Sequence, residues 1–222
     1  MLILGVDTSG KNGSIALVEF AAEAARTLEV VPLAGGTFSA QLIPQISDLL
    51  ARNGRTKGDL DAFAVVSGPG SFTGLRVGLA AIKALAEVLQ KPIATVSLFE
   101  AIANISGKRG RILVALDAGR GEIYAANCEV LNGRMSVLTQ ELLTPNELAV
   151  VAQGRELITP DAKIADLSHA QNRTAVLVPY SRADVIAQIG FQKIKAGDVV
   201  SIESLDANYI RRSDAEIKFT GK

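Results

Sequence analysis

The sequence predicts an α/β fold built from two tandem lobes, each with a mixed β-sheet. The first half is expected to form three strands, then a helix, a strand, a second helix and a fifth strand, an order typical of a mixed sheet covered by helices. The second half opens in the same way, because the apolar residues 112–116 precede Asp117 as residues 1–6 precede Asp7. We interpret this likeness as an internal duplication. The alternative is chance, since an apolar strand followed by an Asp turn is a common local pattern.

Apolar runs closed by turn residues define the strands of the N-terminal lobe, residues 1–107. The predicted strands are residues 1–6, 13–20, 28–33, 62–66 and 93–96. Ser39 can cap a helix over residues 40–53, and Gly54 ends that helix. A second helix is predicted over residues 72–90 and is stopped by Pro92.

The C-terminal lobe, residues 108–222, is predicted to be smaller and less regular. It begins after a boundary at residues 106–110, where Ser and Gly flank two basic residues. Its predicted strands are residues 112–116, 122–130 and 134–139, and its predicted helix is residues 181–195. Residues 206–222 show little periodicity and are predicted to form a tail.

Composition excludes several classes of protein. The 23 basic and 23 acidic residues give a formal net charge of zero, which argues against an autonomous nucleic-acid binder. One Cys and one His exclude a disulfide within the chain and a zinc site built from several His and Cys ligands, whereas a Mg²⁺ site on carboxylates stays open. Asp7 interrupts the apolar start before a signal peptide could form, and the longest uncharged stretch, residues 30–47, is too polar to span a membrane. We therefore expect a soluble cytoplasmic protein without membrane contact.

Two loops offer residues that could bind phosphate. The Asp7 turn combines a carboxylate, hydroxyls and backbone amides, which suit a hydrated Mg²⁺ and a phosphate, or else simply close a hairpin. The glycine-rich loop after residue 67 lets the backbone approach a ligand at a helix start, or else lets the helix pack on the sheet. This loop lacks the Lys of a Walker A motif. The candidate binding residues are Asp7, Thr8, Ser9, Gly10, Gly68, Gly70 and Asp117.

The helix predicted over residues 72–90 has two apolar faces. The first face comprises Leu75, Leu79, Ile82, Ala86 and Leu89 and should cover the sheet of its own lobe. The second is rich in small residues and needs another surface, which is either the other lobe or a partner subunit. The candidate interface residues are Gly74, Val77, Gly78, Ala81, Ala84, Leu85 and Val88.

The lone His and the lone Cys point to no catalytic role. His169 stands in a polar stretch and is predicted to lie in a surface loop, and no nucleophile elbow motif is present to pair with it. Cys128 follows residues 125–127 in a predicted strand and is expected to be a small buried residue. We predict neither a catalytic residue nor a metal site in this chain.

Four segments together resemble the TsaB (YeaZ) family. They are residues 3–9, 41–44, 67–78 and 117–124, of which the glycine-rich stretch is the most specific. The resemblance covers residues 1–126 well and the remainder loosely. The sequence departs from the family pattern at two places. Phe38-Ser39-Ala40 replaces a common His-Ser-Glu triplet, and Gly119 stands where Arg is frequent in the family.

The resemblance implies the actin-like ATPase or sugar-kinase fold, with two RNase H-like lobes. It further implies a part in adding the threonylcarbamoyl group to an adenosine next to the tRNA anticodon, as a dimerisation platform without catalysis of its own. The implied partners are a TsaD-type paralogue, a TsaE-type ATPase, a second copy of the chain when it is alone, and tRNA through the complex. No cofactor is expected for this chain alone, whereas ATP and Mg²⁺ are expected at the level of the complex, and any phosphate site here would be vestigial.

A small ATP-dependent kinase or ATPase of the same fold is the alternative, with Asp7 and Asp117 near the phosphates and the metal. The absence of a recognisable catalytic base and the short second lobe favour the scaffold. The kinase hypothesis requires tight Mg-nucleotide binding by this chain alone.

Overall fold

A computed structural model describes residues 1–22, 24–131, 134–170, 174–208 and 210 of the chain. The first repeat consists of β1 (Leu2–Asp7), β2 (Asn12–Ala21), β3 (Ala24–Ala34), α1 (Phe38–Arg52), β4 (Ala62–Gly68), α2 (Phe72–Leu89), β5 (Ile93–Ser97) and α3 (Leu98–Ser106). The second consists of β6 (Gly110–Gly119), β7 (Glu122–Leu131), β8 (Arg134–Leu143), α4 (Pro145–Val151), β9 (Glu156–Thr159), α5 (Ala162–Ala170), β10 (Ala175–Leu177) and α6 (Ala183–Lys195).

The strand order confirms the predicted duplication. The first sheet runs β3-β2-β1-β4-β5, and the second runs β8-β7-β6-β9-β10. In each sheet the first strand of the repeat pairs antiparallel with the second and parallel with the fourth. Strand β1, which ends at Asp7, and strand β6, which begins at Gly110, are therefore equivalent, and both sheets are mixed as predicted.

Strand β1 is buried over its whole length, and this dictates that the first sheet is covered on both faces. Leu2, Leu4 and Val6 point into a core that includes residues of α1 and α2. The opposite face carries α6, which packs on β1, β2, β4 and β5. Gly5 permits this approach, because a side chain there would meet the backbone carbonyl of Ala183.

The chain separates into two compact units whose limits differ from the predicted lobes. Unit 1 joins Met1–Leu98 to Ser181–Asn208, and unit 2 contains Phe99–Tyr180. The predicted boundary between residues 107 and 108 placed α6 in the C-terminal lobe. The physical reason for the difference is the second apolar face of the first sheet, which a helix from the end of the chain covers.

Unit 2 has a smaller core beneath its own helices. Helix α4 packs on β7 and β8, while α5 packs on β6, β9 and β10. The core contains Leu113, Ile123, Leu148 and Leu157. As predicted, Cys128 is a buried strand residue, and burial followed by the negative charge of Glu100 raises the pKa of its thiol to about 12.

Three regions differ from the sequence-based expectations. Helices α3, α4 and α5 and strands β9 and β10 were not predicted. His169 is exposed, as expected, but lies in α5 and not in a loop, because helix α5 continues to Ala170. Residues 206–208 of the predicted tail are bound to unit 1, and residues 209 and 211–222 lie outside the described part of the chain. Among the described helices, none is both long and apolar enough to cross a membrane.

Candidate functional site

Asp7 ends β1 as a buried acid, with only 5% of its surface exposed. The backbone N–H and the hydroxyl of Ser9 both donate to its Oδ1 atom, at 2.9 and 2.6 Å. Burial raises the pKa of the Asp7 carboxyl above its ordinary value, while the two hydrogen bonds from Ser9 act in the opposite direction. The β1–β2 turn is thus organised around one carboxylate.

The glycine-rich loop before α2 is hydrogen-bonded to this turn. The Ser71 N–H donates to the Ser9 carbonyl at 2.7 Å, and the Thr8 hydroxyl donates to the Gly74 carbonyl at 2.8 Å. Ser71 is also the N-cap of α2, since its hydroxyl accepts from the Gly74 N–H at 3.3 Å. The structure therefore brings the Asp7 turn and the glycine-rich loop into contact.

The glycines of this loop stand where the chain approaches itself. A side chain at Gly70 would meet the Ser9 carbonyl, and one at Gly74 would meet the Thr8 carbonyl. Gly68 has a φ of +130°, and a Cβ there would lie 2.7 Å from the Asn208 carbonyl oxygen. The close approach of the chain therefore requires glycine at these three positions. Phosphate binding itself stays a prediction.

A cavity of about 510 Å³ opens between the β1–β2 turn and the first turns of α1 and α2. Its lining includes Gly10, Lys11, Gly36, Phe38, Ser71 and Val77. Neither helix carries an acidic residue in its first turn, so no carboxylate from that turn offsets the positive end of either helix dipole. With Lys11 nearby, the chemistry of this cavity is more favourable to an anion than to a cation.

Asp117 lies in unit 2, at the equivalent place in the second repeat. Gly119 donates its backbone N–H to Asp117 Oδ1 at 2.8 Å, which reproduces the hydrogen bond from Ser9 to Asp7. The backbone N–H of Asp117 donates to Asp161 Oδ2 at 2.7 Å, and Tyr180 donates its hydroxyl to Asp161 Oδ1. The pKa of the Asp161 carboxyl is raised above its ordinary value, mainly by burial. The hydrogen bond from the Asp117 backbone lowers this pKa, and the negative charge of Asp117 raises it.

Helix α2 buries most of its first predicted face, whereas the second predicted face, here called the outer face, is exposed only in part. Leu75, Leu79, Ile82 and Ala86 are buried against the core. Gly74 and Gly78 were predicted on the outer face, but both are buried and a side chain at either would meet Thr8. The helical spacing could not reveal this contact, because Thr8 is remote in sequence.

The remaining candidates of the outer face differ in exposure. Val77, Ala81 and Leu85 are half-buried and pack against the core of their own unit. Ala84 is exposed, and Val88 is 73% exposed. Helix α1 packs beside α2, and its Ile43, which is 48% exposed, was not predicted as a candidate. No cluster of three or more His, Cys, Asp or Glu residues able to hold a metal occurs within the described ranges.

Comparison with known families decides the relationship. Residues 29–217 match the model of the family described as TsaD, tRNA N6-adenosine threonylcarbamoyltransferase. The chain belongs to the TsaD family. Within that family it is similar over its whole length to proteins described as tRNA threonylcarbamoyladenosine biosynthesis protein TsaB. The Bacillus subtilis protein is 27% identical over 232 residues, covering 99% of this chain and 98% of that protein. The Escherichia coli protein is 28% identical over 244 residues, covering all of both chains.

Solved structures agree with the likeness to TsaB (YeaZ) and with the fold. A Pseudomonas aeruginosa protein described as similar to peptidase YEAZ has a TM-score of 0.75 and 25% identity, over 95% of this chain and 99% of that one. The ADPNP-bound activator of the 2-hydroxyisocaproyl-CoA dehydratase from Clostridium difficile has a TM-score of 0.54 at 9% identity, over 89% and 97%, and supports the fold alone. These findings confirm the resemblance to TsaB (YeaZ) and the actin-like fold.

Two parts of the site region escaped the sequence reasoning. Asp161 follows β9, a strand that was not predicted, so nothing marked it as a neighbour of Asp117. Asn208 contacts Gly68, although the two residues are 140 positions apart in the sequence. No local periodicity could indicate such a contact. In contrast, Ile43 lies within the 41–44 motif that carried the resemblance, which was a usable signal.

Proposed function

We propose that this chain is a non-catalytic scaffold subunit of the machinery that adds the threonylcarbamoyl group to the adenosine next to the tRNA anticodon. The observation that carries the proposal is the full-length likeness to two proteins described as tRNA threonylcarbamoyladenosine biosynthesis protein TsaB. In this role the chain binds a TsaD-type paralogue, and a TsaE-type ATPase joins the complex. Alone, it forms a homodimer through the same surface.

The outer face of α2 and the adjacent part of α1 are the proposed contact surface. Val88, Ile43 and Ala84 expose apolar atoms to solvent, which is unfavourable unless a partner covers them. Small side chains on this side of α2 keep the surface shallow, so another helix can approach closely. A zero net charge is consistent with tRNA being bound through the complex and not by this chain alone.

Reconstitution tests the proposal. The chain, a TsaD-type protein, a TsaE-type ATPase and a supply of threonylcarbamoyl donor are incubated with unmodified tRNA, and the modified nucleoside is quantified by mass spectrometry. We expect no product when this chain is omitted. We expect Asp7→Asn to change the rate by less than about tenfold, because loss of a general acid or base costs about 10²–10⁴. Product formation without the chain contradicts the proposal.

A nucleotide titration separates the scaffold from the kinase alternative. The isolated chain is titrated with Mg-ATP in a calorimeter, and its hydrolysis of ATP is followed. The scaffold function predicts no turnover near the value of about 1 per second that is typical of slow enzymes. Robust hydrolysis that disappears in Asp7→Asn would establish the kinase or ATPase instead.

A further inference from the structure

The segment that follows α6, residues 199–208, runs along one edge of the first sheet, and we name it the strap. Its Val200 N–H donates to the Ile93 carbonyl at 3.0 Å, which forms an antiparallel bridge to β5. Strand β5 is the last in the order of its sheet. The strap therefore covers an edge whose backbone groups would otherwise face solvent.

A turn and a buried leucine fix the middle of the strap. Ser204 donates its N–H to the Ser201 hydroxyl at 3.2 Å, which closes the turn. Leu205, only 8% exposed, then enters the core that also contains Leu79 and Ile82 of α2. Ile202 and Ala207 pack against the same core. The strap is thus anchored in the core that α2 also helps to form, and not merely laid over the surface.

The end of the strap reaches the glycine-rich loop. The Asn208 N–H donates to the Ser67 carbonyl at 2.7 Å, where β4 leads into the loop. The Asn208 carbonyl lies where a side chain on Gly68 would be, so the two backbones touch. The loop is then held from both sides, by Asn208 here and by the Ser9 carbonyl that accepts from Ser71.

A positive charge on α2 acts on the strap as well. The pKa of Glu203 is lowered by its own backbone N–H and by the Ser201 hydroxyl, and then by the positive charge of Lys83. Glu203 is exposed, so this attraction is weak and screened. Lys83 lies on α2, one residue before Ala84.

We propose that the strap is a positioning element for α2. By holding the 67–70 loop through Asn208 and entering the shared core through Leu205, it fixes the start and the tilt of the helix that presents the outer face. The part of this inference that concerns a partner rests on the proposed function. The part that concerns the loop and the helix does not.

Hydrogen exchange on the full-length chain tests the positioning. The variant Leu205→Ala loosens the strap, and Leu33→Ala is its control, because Leu33 belongs to the same core but lies on β3. We expect Leu205→Ala to speed exchange of the amides of residues 68–78 by at least about threefold relative to Leu33→Ala, since local opening frees the region that has lost its anchor. Equal effects of the two variants on residues 68–78 would overturn the proposal.

A second, milder pair protects the test against a variant that does not fold. Val200→Ala weakens the packing of the strap, whereas Val199→Ala alters the adjacent side chain, which is 44% exposed. Affinity for the TsaD-type partner is measured for both. We expect Val200→Ala to bind about threefold more weakly, through a smaller fraction of competent molecules, and Val199→Ala to bind as wild type. If wild type itself does not bind, the proposed function fails, while the exchange experiment still decides the role of the strap.

Discussion

Asp7 and Asp117 occupy equivalent positions in the two repeats and show how burial alone separates two similar residues. Each accepts a hydrogen bond from the backbone N–H two residues later, which is a property of the turn. Asp7 is buried and the pKa of its carboxyl is raised, whereas Asp117 is exposed at the end of its sheet. The sequence predicted the turn at both places, but it could not predict which carboxylate would be buried.

Replacing Asp7 tests the electrostatic cost of this burial. The folded pKa is raised above the ordinary value of 3.8, so the ionised carboxylate destabilises the fold fully above the folded pKa, and the penalty disappears as the pH falls towards 3.8. We expect wild type to lose stability relative to Asp7→Asn as the pH rises through that window. A one-unit elevation of the pKa corresponds to about 1.4 kcal/mol.

Chemical denaturation at several pH values between 4 and about 8 measures this difference. The Asn side chain at position 7 changes the free energy of unfolding by the same amount at every pH. This constant effect cancels, because only the change of stability with pH is compared. Asp48→Asn on the exposed side of α1 serves as the control and should follow wild type. A stability difference between Asp7→Asn and wild type that is the same at every pH would show that Asp7 carries no raised pKa.

At the scale of the element, α2 shows what a helical pattern can and cannot predict. The sequence predicted residues 72–90 and the structure has Phe72–Leu89, with Gln90 as a left-handed C-cap. Strong periodicity, a capping Ser71 and a following proline explain that agreement. The same pattern misplaced Gly74 and Gly78, because a helical wheel does not contain Thr8, the residue that packs on them.

Charged substitutions on the outer face test its assignment as a partner surface. We expect Ala84→Arg and Val88→Glu to remain folded and to lose both self-association and partner binding, because both positions are exposed in the chain alone. Burying an unpaired charge at a closed interface costs on the order of 3–5 kcal/mol. Ile82→Arg is the contrast: its side chain is fully buried and the variant should unfold.

Sedimentation and circular dichroism together separate these outcomes. Ala81→Arg and Leu85→Glu are less clear tests, since both side chains pack partly on the core of their own unit and would lower stability as well. If Ala84→Arg and Val88→Glu stay folded and associate like wild type, the partner surface lies elsewhere on the chain.

Helices α3 and α5 illustrate why other elements escaped prediction. Helix α3 begins at Leu98, immediately after β5 ends at Ser97, so no turn residue announces the change. In helix α5, five of residues 162–169 are exposed and three are buried, so its apolar pattern is weak. Local sequence signals depend on turns, caps and a clear apolar face, and both helices lack at least one of them.

At the scale of the whole molecule, the duplication could be predicted but the assignment of helices to units could not. Each repeat ends in a helix, α3 or α6, that belongs to the unit of the other repeat. The apolar run of β1 indicates that its sheet is covered on both faces, yet it carries no information about which segment provides the cover. That choice is made by long-range complementarity, such as Gly190 against Ala64 and the stacked rings of Phe20 and Phe191, 4.1 Å apart.

A fragment of residues 1–107 should therefore fail to fold cooperatively, although it contains the complete first sheet. Without α6, the face that carries Ile3, Val18 and Phe20 is left in water. Exposing large apolar side chains costs about 1.5–3 kcal/mol each, and three of them approach the whole stability of a domain, about 5–15 kcal/mol. Joining residues 181–208 to Leu98 by a flexible Gly/Ser linker restores the cover and should restore a cooperative thermal transition in circular dichroism. The same linked protein carrying Phe191→Asp in α6 is the matched control. A fragment of residues 1–107 that unfolds cooperatively on its own would show that α6 is an accessory and not part of the first unit.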